Sequence, residues 1–281
     1  MPVFDTPEPI TAEIQTYLGQ VRVHASARAD TVVEVRPADP STPASVQAAE
    51  RTIVEFSGER LLVKGPRPNV LGQLRTWRGS IDVTVELPAG SRVEADVAAE
   101  LITTGPLGRT SLRSSYGDAR LEETGPLEAR TSTGDIAVDR VTGAAEVTTS
   151  TGSIRIGTID GPGTLKASTG AITFGEVTGE LHLKTGTGDI TVDRVAGDLS
   201  AKTAHGRIRI GAAESGTVRL ETGHGKVGIG IAAGTAAWLD LHSKNGVVRN
   251  GMDAAEGPGT TDTVVEVHAH TNWGDIDVHR S

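Results

Sequence analysis

The sequence predicts an all-β fold, a parallel β-helix (β-solenoid) with coils of about 18 residues, and three observations predict it. The first is a beat of glycines: Gly117, Gly134, Gly152, Gly170, Gly188, Gly206 and Gly225 follow one another in steps of 17 to 19 residues. A second series, Gly125, Gly143, Gly161, Gly179, Gly197 and Gly216, keeps the same period. Repeats this short and even mean units that pack only on their neighbours. The second observation is alternation around each glycine. Two residues on stand Ala119, Ile136, Ile154, Ile172, Ile190, Ile208 and Val227, and four on stand Leu121, Val138, Ile156, Phe174, Val192, Ile210 and Ile229. Five before it stand Leu112, Ala129, Val147, Leu165, Leu183, Ala201 and Leu220. A period of two is the signature of a half-buried strand. The third is composition: aromatics make up 3% of the 281 residues, against 35 glycines. A core filled by Val, Ile, Leu, Ala and Thr suits narrow β layers, and a helical solenoid would need spacing near 3.6.

Residues 1–97 form the first region, an irregular β-rich cap that merges into the solenoid. Val21–His24, Val32–Val35, Ile53–Phe56, Leu61–Lys64 and Ile81–Val85 each alternate like strands. Pro40–Ala49 is a polar excursion with room for one or two helical turns, and Pro66–Arg78 is a second irregular stretch. Residues 98–249 hold the regular repeats. Each coil is expected to have three short faces, because a further apolar residue such as Val141, Ile159, Val177 or Val195 lies seven past the glycine. The glycines supply the corners. Residues 250–281 read as a loop, up to Asp262, and a terminal coil, Val265–Val278. Handedness is not determined by the pattern.

Composition narrows the function classes. The absence of cysteine excludes disulfides and thiolate metal sites and suits a reducing compartment. A formal charge of −9 argues against general nucleic-acid binding, which favours a basic face. The first ten residues carry no basic-then-apolar leader, and no run of about 18 apolar residues offers a membrane-spanning helix. A cytoplasmic location is the expectation.

The segment Val83-Thr84-Val85-Glu86-Leu87-Pro88-Ala89-Gly90-Ser91-Arg92-Val93 leads into coils of the form Ser/Thr-x-Gly-Asp-Ile-x-Val. Examples are Ser132-Thr133-Gly134-Asp135-Ile136-Ala137-Val138 and Gly186-Thr187-Gly188-Asp189-Ile190-Thr191-Val192. Together they resemble DUF4097, a bacterial family of β-strand-repeat proteins labelled candidate adhesins, over about residues 15–280. The Ala- and Gly-rich style is actinobacterial-like. The resemblance implies a β-solenoid and brings no catalytic residues with it.

Three sets of side chains are candidates for chemistry. Asp118, Asp135 and Asp189 follow the corner glycine, with Asp139 and Asp193 four further on. Paired carboxylates could divide acid and base roles in a carbohydrate-active β-helix enzyme, but they skip coils, and Asp after Gly also serves turns. Four residues before the glycine runs a basic column of Arg113, Arg130, Lys166, Lys184 and Lys202. Stacked on one face, it offers a track for an acidic partner or an anionic polymer. His205 and His224, one before the glycine, should stack as a pair able to bind zinc or sense pH. Thr131, Thr149 and Thr185 share the inward register and read as internal hydroxyl ladders.

The reading that these observations support is a non-enzymatic, intracellular β-solenoid that acts as a protein-binding or assembly scaffold, without cofactor or metal. Coils this tight leave little room for cleft-forming loops. The alternatives are a carbohydrate-active enzyme and a bactofilin-like filament that self-associates through solenoid ends.

Overall fold

The computed structural model describes residues 1–67, 79–252 and 263–281. The stretches 68–78 and 253–262, where the sequence suggests an irregular segment and a loop, lie outside the described residues. The chain divides into two compact units, residues 1–142 and 143–281.

Unit 1 begins with β1 (Val3–Asp5), β2 (Thr11–Thr16), β3 (Gly19–Ser26) and β4 (Asp30–Pro37). Then come α1 (Pro43–Glu50), β5 (Ile53–Ser57), β6 (Arg60–Lys64) and β7 (Ile81–Pro88). Three coils follow: β8 (Arg92–Val97) with β9 (Glu100–Leu107), β10 (Thr110–Tyr116) with β11 (Ala119–Thr124), and β12 (Leu127–Thr133) with β13 (Ile136–Val141). One sheet has the order β5-β6-β2-β8-β10-β12 and the other β1-β4-β7-β3-β9-β11-β13. All pairings are parallel except those of β1, β4 and β5, which run antiparallel.

Unit 2 continues with the coils β14 (Ala145–Thr151) and β15 (Ile154–Ile159), β16 (Gly163–Thr169) and β17 (Ile172–Val177), and β18 (Glu180–Thr187) and β19 (Ile190–Ala196). After β20 (Asp198–His205), the long β21 (Ile208–His224) runs through a corner and serves both sheets. The chain ends with β22 (Val227–Ile231), β23 (Thr235–Asn245), β24 (Val248–Asn250), β25 (Thr263–Trp273) and β26 (Ile276–Arg280). The sheets here have the orders β14-β16-β18-β20-β21-β25-β23 and β15-β17-β19-β21-β22-β26-β24, parallel throughout.

Each regular coil thus has two strands and not three faces. The apolar residue seven past the glycine, Val177 for instance, closes the second strand after two residues, Gly175 and Glu176, that interrupt the alternation of burial. Alternation then works as the pattern requires: in β14 the residues Ala145, Val147 and Thr149 are buried and those between them are not. Aliphatic columns fill the core, with Ile172, Ile190, Ile208, Val227 and Ile276 all fully buried and Phe174 the largest side chain enclosed among the described residues. Each such side chain contributes about 1.5–3 kcal/mol of transfer free energy.

The corners are built from three stacked contacts. The corner amide of one coil donates to the carbonyl just before the next corner, as in Gly170 to Thr187 (2.8 Å) and Gly188 to His205 (2.9 Å). A buried threonine hydroxyl three before the glycine donates to the glycine carbonyl of the preceding coil: Thr185 to Gly170 (2.9 Å), Thr203 to Gly188 (3.1 Å) and Thr222 to Gly206 (2.9 Å). Thr185 thus joins a ladder of hydroxyls on the glycine carbonyls, as its register suggests, whereas the buried Thr131 hydroxyl has no hydrogen-bond partner among the described residues. Third, the glycine itself admits no side chain: at Gly188 φ is +150°, and a Cβ would stand 2.1 Å from the Gly170 carbonyl oxygen.

Coil order in space departs from coil order in sequence at the C-terminus. The coil β25–β26 is the last in sequence, but it lies between β21–β22 and β23–β24. Residues 265–278 therefore do not form the outermost coil. Backbone hydrogen bonds record the insertion, since the Gly225 amide donates to Trp273 (2.8 Å) and the Gly274 amide to Asn245 (3.1 Å). Unit 1 does the same with its N-terminus: β2–β3 forms a regular coil between β6–β7 and β8–β9. The polar excursion becomes the two-turn helix α1, with Pro43 in its first turn and Ala48 buried.

Two outcomes follow. Gly188→Ala should lower stability by about 2–4 kcal/mol, the sum of backbone strain and a forced corner contact. Gly228→Ala is the control, because a Cβ there meets nothing within 4 Å, and chemical denaturation should leave its midpoint nearly unmoved. The second concerns Asp275, whose Oδ1 accepts the Val247 amide at 3.0 Å and whose Oδ2 meets Arg249 at 3.0 Å. The Val247 N–H first, and then Arg249, hold its carboxyl below the usual range. A depressed folded-state value gives stability that is present above the unfolded-state value and lost as pH falls through the folded one. Hydrogen-exchange protection of the Val247 amide should therefore fall on acidification, and Asp275→Ala should remove that dependence.

Candidate binding face

The basic column occupies the outward side of the first-strand sheet, where alternation sends every second side chain to solvent. In unit 2, Lys166, Lys184 and Lys202 stand directly opposite one another on β16, β18 and β20. All three are exposed. Lys202 Nζ lies 2.5 Å from Glu221 Oε2 on the next strand, whereas Lys166 and Lys184 make no ion pair among the described residues. Neighbouring strands are about 4.8 Å apart, so two unscreened ammonium groups at that separation repel by about 1 kcal/mol in water. Beyond Glu221 the column continues as His270 and His242, so its positive stretch ends at Lys202.

In unit 1, Arg113 and Arg130 are likewise register partners on β10 and β12. Their surroundings are acidic. Arg113 faces Asp96 across the pair β8–β10, and a depression of about 320 Å³ around it is lined by Glu13, Glu94 and Asp96. Arg130 forms an ion pair with Glu128 on its own strand. The five residues of the predicted column thus differ in kind: the arginines are set among carboxylates, and Lys166 and Lys184 make no ion pair among the described residues.

The histidine pair forms as predicted. The His205 and His224 rings stack with centroids 5.0 Å apart and planes 6° apart. The stack has a third member that the sequence reading missed, the Trp273 indole, 6.3 Å from His224 and tilted by 3°. Trp273 holds the same position before its glycine, but its place beside His224 depends on the insertion of β25, which spacing alone does not reveal. His242 and His270 stack similarly at 5.2 Å. Among the described residues no group of three or more His, Asp or Glu side chains is placed to hold a metal ion.

The aspartates after the glycines bind backbone. Asp118 Oδ1 accepts the Asp135 amide at 2.9 Å, and Asp189 Oδ1 accepts the Arg207 amide at 2.7 Å. Each carboxylate therefore ties its own corner to the same position of the next coil. An open groove of about 490 Å³ follows the corner of unit 1, lined among others by Leu18, Glu100, Tyr116 and Asp118. Its acids are engaged as well, since Glu100 meets Arg120 at 2.6 Å and Gln20 at 2.7 Å. No helix among the described residues is long and apolar enough to cross a membrane.

Comparison with known proteins gives a family. No curated protein matches the chain. Among solved structures it is similar to a candidate adhesin from Parabacteroides merdae, at 13% identity and a TM-score of 0.38, covering 99% of this chain and 95% of that one. It is also similar to a candidate adhesin from Bacteroides fragilis (9% identity, TM-score 0.35, 99% and 95% covered). A third is a candidate cell adhesion protein from Clostridium sporogenes (10% identity, TM-score 0.24, 100% and 98% covered). The family model described as Toastrack DUF4097 matches residues 21–279, nearly the whole of a chain whose glycine-cornered coils have just been described, and the chain belongs to that family.

Proposed function

We propose that this chain is a non-enzymatic binding module, an intracellular scaffold whose lysine face in unit 2 docks an acidic segment of a protein partner. The observation that carries this reading is the parallel register of Lys166, Lys184 and Lys202, two of which make no ion pair among the described residues. A column maintained only for solubility would gain by alternating sign, because like charges directly opposite each other destabilise a sheet. In unit 1 Arg113 and Arg130 also stand opposite each other, but Asp96 faces Arg113 and Glu128 pairs with Arg130, so carboxylates of opposite sign sit beside both. Unit 2 instead sets lysines opposite one another over three successive strands.

The use of the corner aspartates supports the non-enzymatic half of the reading. A general acid or base needs a carboxyl free to exchange a proton with substrate. Asp118 and Asp189 are instead committed to backbone amides of the adjacent coil. The lack of cysteine in the chain accords with an intracellular setting.

The test uses poly-L-glutamate as a probe of acidic-segment binding, followed by fluorescence anisotropy. The intact chain should bind it with a clear salt dependence, and the triple variant Lys166→Glu, Lys184→Glu, Lys202→Glu should bind at least about tenfold more weakly. The paired control Arg113→Glu, Arg130→Glu should change little. Equal affinity for the triple variant and the unaltered chain would sink the proposal.

A further inference from the structure

We infer that the C-terminal edge of unit 2 is a self-complementary surface on which a second copy of this chain docks, closing a two-fold dimer through antiparallel pairing of β23 with its copy. This rests on a different face from the lysine column and does not depend on it.

The edge is open. β23, eleven residues long, pairs with β25 on one side, and β24 pairs with β26 on one side; among the described residues nothing pairs with their other sides. Its core-facing side chains are correspondingly under-covered. Ala237, Leu239 and Leu241 are only half-buried, whereas Val265, Val267 and Ala269, their direct partners on β25, are at most 3% exposed. Trp238 is 55% exposed, and Val247 and Val248 add further apolar surface on the same coil. A long edge strand with one side unpaired and no proline is an invitation to pairing.

The outer edges of unit 1 are managed differently. There the coil β6–β7 is covered by the antiparallel strands β5 and β4, and β1 lies outside β4. The strands left at the two edges are only three and five residues long, and Leu61 and Val63 beneath β5 are fully buried. An open filament needs two complementary edges, whereas one self-complementary edge closes on itself as a dimer.

The sequence of β23 supplies the self-complementarity. Antiparallel pairing keeps opposite residues on the same face, so inward meets inward when the dyad passes through a single residue. Centred on Leu241, the two Leu241 side chains meet on the core side and Leu239 faces Ser243 of the copy. On the outer side Asp240 faces His242 of the copy, and Trp238 faces Lys244, an acid–imidazole pair and a cation–π pair, each made twice. Centring on Asp240 would oppose two carboxylates, and centring on His242 two imidazoles, so the neighbouring registers are worse. A rotation axis perpendicular to the sheets sets β24 antiparallel to its copy as well, so both sheets continue into the second molecule.

Sedimentation equilibrium of the intact chain tests this. The expected result is twice the monomer mass at high micromolar concentration, with dissociation on dilution. Asp240→Lys should weaken the dimer at least about tenfold by removing both acid–imidazole pairs. The exchange Asp240→His with His242→Asp should restore it, an outcome that a merely destabilised edge would not produce. Because the chain has no cysteine, Leu241→Cys provides a register probe. In a hydrogen-bonded antiparallel pair the Cα atoms are about 5.5 Å apart, within disulfide reach, so mild oxidation should yield a covalent dimer. A monomer at every concentration, a dimer indifferent to Asp240→Lys, filaments in negative stain, or a dimer that Leu241→Cys fails to cross-link would each overturn the proposal.

Discussion

The contact on which the rest of the structure depends is the approach of one corner glycine to the carbonyl of the glycine below it. At Gly188 the space for a Cβ is occupied by the Gly170 carbonyl oxygen. That closeness lets the corner amide reach the next coil at 2.9 Å and lets Thr203 donate to the Gly188 carbonyl. With the corners stacked at hydrogen-bond spacing, the two strands of every coil fall into register with those of the next, and each aliphatic side chain lands on its equivalent. The core is therefore a consequence of the corner as much as of hydrophobicity. A chain with the same aliphatic columns and alanine at the corners would have to spread its coils and lose the ladder.

This explains which parts were legible in the sequence. Position in a coil is a local property, fixed by distance from the glycine, and so the burial of Ile190 or Thr185 and the outward facing of Lys184 could be read directly. The two-strand coil was less plain. Val195 is spaced as if it began a third face, yet a bend of two outward residues, Asp193 and Arg194, keeps it within β19. The order of coils is a different kind of fact. It depends on which segments pair across long sequence separations, and an 18-residue register is satisfied equally well by any neighbour. The insertion of β25 beside β21 was invisible for that reason, and with it the place of Trp273 on the His205–His224 stack. The charge of the face followed the same division. The column itself was readable, whereas the acidic setting of Arg113 came from β2 and β8, which the pattern did not place beside it.

Insertion also changes how the solenoid resists unravelling. In a repeat array laid down in sequence order, the terminal unit has one neighbour and frays at the cost of a single interface. Here the C-terminal coil β25–β26 has a neighbour on both sides, and so does the N-terminal coil β2–β3. The C-terminal coil cannot peel away without first giving up β23–β24 outside it, and β2–β3 is enclosed in the same way, although β1 ahead of it lies at the sheet edge beside β4. The outermost coils are instead interior stretches of chain, held at both of their ends by covalent connection. The arrangement requires non-local pairing late in assembly, which slows folding, and the same requirement slows loss of the termini.

The edge coil of unit 2 is consequently anchored and, among the described residues, unpaired on one side, and these two properties bear on each other. An edge that frayed readily would present no fixed array of side chains to a partner, since ordering it would cost about 1–2 kcal/mol per residue in backbone entropy alone. Asp275 holds the start of β24 through the Val247 amide and Arg249, and Ser243 donates to the Gly274 carbonyl at 2.8 Å. The strand is therefore presented in a defined register, with its remaining peptide groups and half-covered Leu239 and Leu241 facing outward. Preorganisation of this kind is what allows a short edge to bind through backbone pairing. The corner that builds the core thus also fixes the surface at which the core stops.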